Sequence, residues 1–148
     1  MSDPVSTAIA SKTPVVQPSN AFARHVFVYG TLRKGDDNDI TRLSPTPRYV
    51  GNSEICGLMY HLGAYPGVVL TDDPAQTIIG EVYAIEPALE QVLDEIEMIY
   101  PQQRDEYVKR HVVVKLGLQQ LSCLVYEINP AYIAGKPLIV SGDWVKDR

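Results

Sequence analysis

Hydrophobic and polar positions along the chain change period several times, and the changes outline its elements. The first sustained apolar run is His25-Val26-Phe27-Val28-Tyr29, β-branched and aromatic, stopped by Gly30. A charged stretch with Gly35 and Asp36-Asp37-Asn38-Asp39 follows and reads as a loop, with a short helical turn expected over Ile40 to Leu43. Strands are then predicted over Tyr49 to Ile55, Gly57 to Leu62, Val68 to Leu70, and Ile78 to Ile85. Gly63-Ala64-Tyr65-Pro66-Gly67 interrupts the series. The period switches after Glu86-Pro87, where Leu89, Val92, Leu93 and Ile96 fall at i, i+3, i+4 and i+7. That stripe predicts an amphipathic helix, with Pro at a favourable first-turn position, ending before Pro101. Two last strands are expected over Tyr107 to Leu116 and Gln120 to Ile128, turning near Gly117.

About six strands around one late helix do not make a βαβ repeat. Short connections favour antiparallel or mixed pairing, so the fold class is α+β with a curved or barrel-like sheet. Residues 1–23 are rich in Ser, Thr, Pro and Ala without a period, and read as a disordered N-terminal tail before a single domain over 24–148. The lone Trp144, in Ser141-Gly142-Asp143-Trp144, is expected to pack against that domain.

Composition narrows the function. The chain has 148 residues, 45% hydrophobic and 21% charged, which fits one globular core. Its net charge of −5 lacks the basic footprint that nucleic acid requires, so no nucleic-acid partner is expected. The opening residues carry neither a basic n-region nor an apolar core of a leader, and no run approaches the ~18 apolar residues of a membrane helix. A cytoplasmic protein with no membrane partner is expected. Cys56 and Cys123 stand in strand-like surroundings without metal-ligand spacing, and read as free buried thiols.

Two places offer chemistry. Tyr29-Gly30-Thr31-Leu32 ends a strand at a glycine, a geometry that can leave successive N–H groups pointing outward as a nest for a carboxylate or oxyanion. Tyr29 would add a wall and the Thr31 hydroxyl a donor. The segment lacks the spacing of a dinucleotide fingerprint or a P-loop. By itself it reads first as a plain strand-to-loop turn. Glu97 lies on the edge of the apolar helix stripe, while Asp94 and Glu95 point more toward solvent. Partial desolvation and the helix C-terminus would both raise its pKa toward the range useful for proton transfer. By itself it reads first as a rim carboxylate paired with Arg or Lys.

Taken in order, the pieces resemble the γ-glutamyl cyclotransferase-like family. They are Phe27-Val28-Tyr29-Gly30-Thr31-Leu32-Arg33-Lys34-Gly35, Gly57-Leu58-Met59-Tyr60, Tyr65-Pro66-Gly67, Gly80-Glu81-Val82-Tyr83, Leu93-Asp94-Glu95-Ile96-Glu97 and Glu106-Tyr107-Val108-Lys109-Arg110. The resemblance covers roughly residues 25 to 144. It implies a mixed, mostly antiparallel small β-barrel flanked by one or two helices, with a cavity between the Tyr29–Leu32 loop and a glutamate. It further implies that Tyr29, Gly30, Thr31 and Leu32 bind the α-carboxylate end of a γ-glutamyl group, and that Glu97 is the general acid/base. Tyr107 and Tyr126 are candidates to line the cavity. The implied reaction closes 5-oxoproline and releases an amine, with no metal or cofactor, in a monomer or homodimer. The alternative is a non-catalytic module binding a small carboxylate-bearing metabolite. One departure stands out: Met98-Ile99-Tyr100-Pro101 follows Glu97 where the family commonly has Gly or another small residue, and this bulk is expected to narrow the pocket.

Overall fold

A computed structural model of the chain describes Phe22, residues 24–97 and residues 105–147. The expectations for the remaining N-terminal tail and for Met98-Ile99-Tyr100-Pro101 lie outside the described residues.

The strands are β1 (Arg24–Val28), β2 (Arg48–His61), β3 (Pro66–Leu70), β4 (Thr77–Ile85), β5 (Tyr107–Leu116) and β6 (Gln119–Ile128). Helix α1 spans Pro87–Ile96 and a short helix, α2, spans Trp144–Asp147. The strands form one six-stranded sheet in the order β3-β2-β4-β1-β6-β5. Every neighbouring pair is antiparallel except β1 and β6, which run parallel through His25↔Cys123 and Val26↔Leu124.

The sheet curls into a half-barrel, so its outer strands are tied to one another. Leu70 N donates to Glu127 (2.9 Å), Ser53 Oγ to the Lys115 carbonyl (2.6 Å), and the Tyr107 hydroxyl to the Pro66 carbonyl (2.8 Å). Alternation along β1 divides the core between two faces. Val26 and Val28 pack with Leu89 and Leu93 of α1, while Phe27 packs with Met59, Val68, Val82 and Trp144. A strand buried on both faces reads as a continuous apolar run.

Two expected strands, Tyr49 to Ile55 and Gly57 to Leu62, are one long strand, β2. Its first part pairs with β4 and its second with β3. Trp144 is buried as expected, and Cys56 and Cys123 are free thiols, Cys123 buried and Cys56 partly so. Among the described residues no helix is long and apolar enough to cross a membrane.

Candidate active site

Beyond β1 the chain turns back on itself in a way that sorts its carbonyls from its amides. Arg33 N donates to Gly30 O (2.9 Å), Asn38 N to Thr31 O (2.9 Å), Ile40 N to Leu32 O (2.9 Å) and Asp36 N to Arg33 O (3.0 Å). The loop's carbonyls are thus used up internally. The amides that follow are also satisfied: Lys34 N donates to Glu81 (3.0 Å) and Gly35 N to Asp39 (2.8 Å). The amides of Gly30, Thr31 and Leu32 find no acceptor among the described residues. They are unspent donors of the kind that bind anions.

Gly30 is required here by close approach. A Cβ at this position would lie 2.7 Å from Pro66 Cγ, so the glycine lets the Tyr65-Pro66 turn close over the loop. The turn itself needs no positive φ at Gly30. Leu32 packs its side chain in the core. Tyr29 is buried, and its hydroxyl donates to the Tyr126 carbonyl. The Thr31 hydroxyl accepts from Asn38 Nδ2 at 3.0 Å, which fixes its orientation and leaves its own hydrogen to donate.

A second network fastens the loop from behind. Arg33 is buried, with Nε 3.1 Å from Glu81 and Nη1 2.9 Å from Asp143. Glu81 also accepts the Tyr83 hydroxyl at 2.9 Å. These partners join the loop to β4 and to the segment before α2. None of them was singled out from the sequence, because the three elements are far apart along it.

Facing the loop is a cavity of about 230 Å³. It is lined by the whole Tyr29–Leu32 segment and by Tyr65, Pro66, Glu97, Glu106, Tyr107 and Tyr126, among others. Every site residue named from the sequence meets there. Glu97 closes the C-terminal end of α1, its amide donating to Leu93 O at 2.9 Å. Its carboxyl forms no hydrogen bond or ion pair among the described residues, so the pairing with Arg or Lys that would make it structural is not found there. Burial, with the nearby charge of Glu106 added, pushes the Glu97 carboxyl up to about 7.

Tyr29, Tyr107 and Tyr126 hold their hydroxyl protons tightly, their pKa values raised chiefly by burial and further by the charge of Glu97. They are neutral donors and walls.

Asp94 differs from its expected solvent orientation. α1 packs on β5 and β6 so that Asp94 accepts from the Tyr126 hydroxyl (2.8 Å) and from Lys109 Nζ (3.0 Å). Helical geometry places Asp94 just off the apolar stripe but does not say which strand it meets. Glu95 is exposed as expected. Two lining residues, Glu106 and Tyr65, had gone unassigned; Tyr65 donates its hydroxyl hydrogen to Glu106 Oε2. Among the described residues no group of three or more His, Cys, Asp or Glu is arranged to hold a metal ion.

The model of the family described as gamma-glutamyl cyclotransferase, AIG2-like, matches residues 26–146. The chain belongs to this family. A Vibrio cholerae protein, whose name gives gamma-glutamylcyclotransferase as a provisional activity, is 33% identical over 92 residues, covering 57% of this chain and 70% of that protein. YkqA of Bacillus subtilis bears the same provisional name and is 31% identical over 119 residues, 80% of this chain. The YkqA crystal structure aligns with a TM-score of 0.64 at 27% identity, covering 83% of this chain. This chain spans 40% of YkqA's length. A mouse AIG2-like protein aligns with a TM-score of 0.60 at 22% identity, over 78% of this chain and 84% of its own, a likeness of fold.

Proposed function

We propose that this protein cyclises a γ-glutamyl amine or peptide to 5-oxoproline and releases the amine, with Glu97 as the general acid/base. The observation that carries this reading is one cavity lined both by the Tyr29–Leu32 loop, whose amides are unspent, and by Glu97, which is unpaired among the described residues and has its carboxyl pushed up to about 7.

The reaction needs one anion cradle and one proton shuttle. The Gly30, Thr31 and Leu32 amides would hold the substrate's α-carboxylate, with the Thr31 hydroxyl beside them. The α-ammonium gives a proton to Glu97 and becomes a nucleophile. It attacks the γ-amide carbonyl, forming a five-membered ring and a tetrahedral oxyanion, for which fixed N–H donors are the suitable partner. As the C–N bond breaks, Glu97 returns the proton to the departing nitrogen, and the ring nitrogen sheds its second proton to the expelled amine, which leaves as an ammonium. A carboxyl near pH 7 suits both directions of that transfer. The nucleophile belongs to the substrate, so holding it folded supplies much of the rate. No electrons change hands, and the chemistry calls for no redox group.

The test is 5-oxoproline formation from a panel of γ-glutamyl amines and γ-glutamyl peptides. Glu97→Gln is expected to lower kcat by about 10²- to 10⁴-fold, the usual contribution of a positioned acid/base. Saturable binding of the panel without turnover by the natural protein would overturn the enzyme reading and leave a binding module. Full activity in Glu97→Gln would overturn the role of the glutamate.

A further inference from the structure

Glu106 stands at the entrance to β5, and its position is built with care. Asp105 before it adopts φ +56°, a conformation that Asp tolerates better than most residues. Asn129 fixes both, its amide donating to the Glu106 carbonyl (2.7 Å) and its side chain to the Asp105 carbonyl (3.0 Å). The Glu106 side chain lines the cavity. Tyr65 occupies Oε2, and Oε1 accepts nothing among the described residues.

The cavity's charges are one-sided. Asp37, Glu97 and Glu106 line it, and no Lys, Arg or His does so among the described residues. Among the described residues a ligand bearing an ammonium meets no competing cation there. For a carboxylate on that ligand the described lining offers uncharged donors: the main-chain amides and the Thr31 hydroxyl of the Tyr29–Leu32 loop, with the Asn38 side-chain amide beside them.

We propose that Glu106 is the ligand for the substrate's α-ammonium, gripping it through Oε1 beside Glu97 while Tyr65 holds Oε2. This rests on the cyclotransferase reading above and assigns the second carboxylate of that site. The division of labour balances: one ammonium proton passes to Glu97, the freed amine forms the new C–N bond, the departing nitrogen takes the proton from Glu97, and the ring nitrogen gives up its second proton to the expelled amine, which leaves as an ammonium. Glu106 begins and ends as a carboxylate. It binds the nucleophile before the reaction and, through its charge, keeps Glu97 basic enough to accept the proton. Sharing the cavity with Glu97 are Tyr29 and Asp37 from the first loop, Tyr65 from the second, Glu106 just before β5, Tyr107 on β5 and Tyr126 on β6. Of the two carboxylates among them, Glu106 is the one whose charge acts on Glu97.

The experiment compares two ligands in a background that cannot turn over. One is γ-glutamyl-n-butylamide; the other is glutaryl-n-butylamide, the same molecule without its α-amine. Calorimetric titration of Glu97→Gln is expected to show preference for the amine-bearing ligand of about 10- to 100-fold, the range of a charge-assisted hydrogen bond. Adding Glu106→Gln, which keeps an acceptor for Tyr65, is expected to reduce that preference to near unity. A preference that survives Glu106→Gln overturns the assignment. In the otherwise natural protein, Glu106→Gln is expected to raise KM more than it lowers kcat. ¹³C-carboxyl titration of Glu97 by NMR is expected to show its midpoint moving to lower pH in that variant, a change that mere loosening of the fold would not single out. An unmoved midpoint with unchanged KM overturns the role of Glu106 and leaves the cyclotransferase reading intact. Failure of the natural protein to form 5-oxoproline from any panel member overturns both.

Discussion

Glu81 and Glu97 are both carboxylates withdrawn from bulk water, and their surroundings are opposite. Glu81 is met by the Arg33 guanidinium, the Lys34 amide and the Tyr83 hydroxyl, so both of its oxygens face donors. Glu97 has a cavity before it, tyrosines around it and a second carboxylate nearby, with no donor among the described residues. Burying a charge costs several kcal/mol unless partners offset it. Glu81 is offset within the protein and serves the fold. Glu97 is left for something outside the protein to complete, which is the mark of a working group.

Substitutions can break this contrast from either side. The largest effect on stability is expected from Glu81→Ala, which leaves the Nε of the buried Arg33 without its carboxylate and only Asp143 to offset the charge. Removing one partner of a buried pair costs about 3–5 kcal/mol, measurable by urea unfolding, and the loop carrying the anion cradle should lose protection from hydrogen exchange.

Glu97→Gln should act in the other direction. The folded carboxyl has a pKa of about 7 against an ordinary 4.5, so the native state keeps a proton that the unfolded chain gives up. Stability of the natural protein therefore falls as pH rises from about 4.5 to about 7, and the penalty is full above that window. Gln carries no such penalty. The variant should be more stable than the natural protein by up to about 3 kcal/mol at pH 8, and nearly equal to it at pH 4. An equal difference at both pH values would mean that Glu97 is not the strained group.

A smaller effect is expected from Gly30→Ala. The added methyl meets the Pro66 ring at 2.7 Å and must push the two walls of the cavity apart. Overpacking of this kind costs about 1–3 kcal/mol. KM for a γ-glutamyl substrate should rise while the rest of the sheet keeps its exchange protection.

Much of this was legible in the chain, and the remainder shows what local patterns cannot carry. The β-branched and aromatic runs located most of the strands, and the 3.6-residue stripe located α1, because each depends on near neighbours. Glu97 emerged because its place on the stripe forces it toward the core. The boundary expected between two strands fell just before Gly57, the first residue of the second. In the folded chain Gly57 continues β2, because a Cβ there would come within 3.0 Å of the Val69 carbonyl oxygen and of Val68 on the neighbouring strand. Asp94 was misjudged for a related reason: its partners, Tyr126 and Lys109, lie on strands whose approach α1 alone does not specify. Glu106, Arg33 and Glu81 owe their roles to contacts across dozens of residues, and no period in the sequence announces them.

The place of β1 in the sheet also bears on the order in which the molecule can be made. β1 is the earliest strand described, yet it sits between β4 and β6, with Val26 matched to Tyr83 on one side and to Leu124 on the other. Such distant pairings must wait for long loops to close and slow the search for the native state. On a ribosome, the Tyr29–Leu32 segment emerges first and waits for its last wall, Tyr126, until β6 has been synthesised. A nascent chain released before that strand would expose the apolar flank of β1 and carry a half-built pocket, a state for chaperones rather than for substrate.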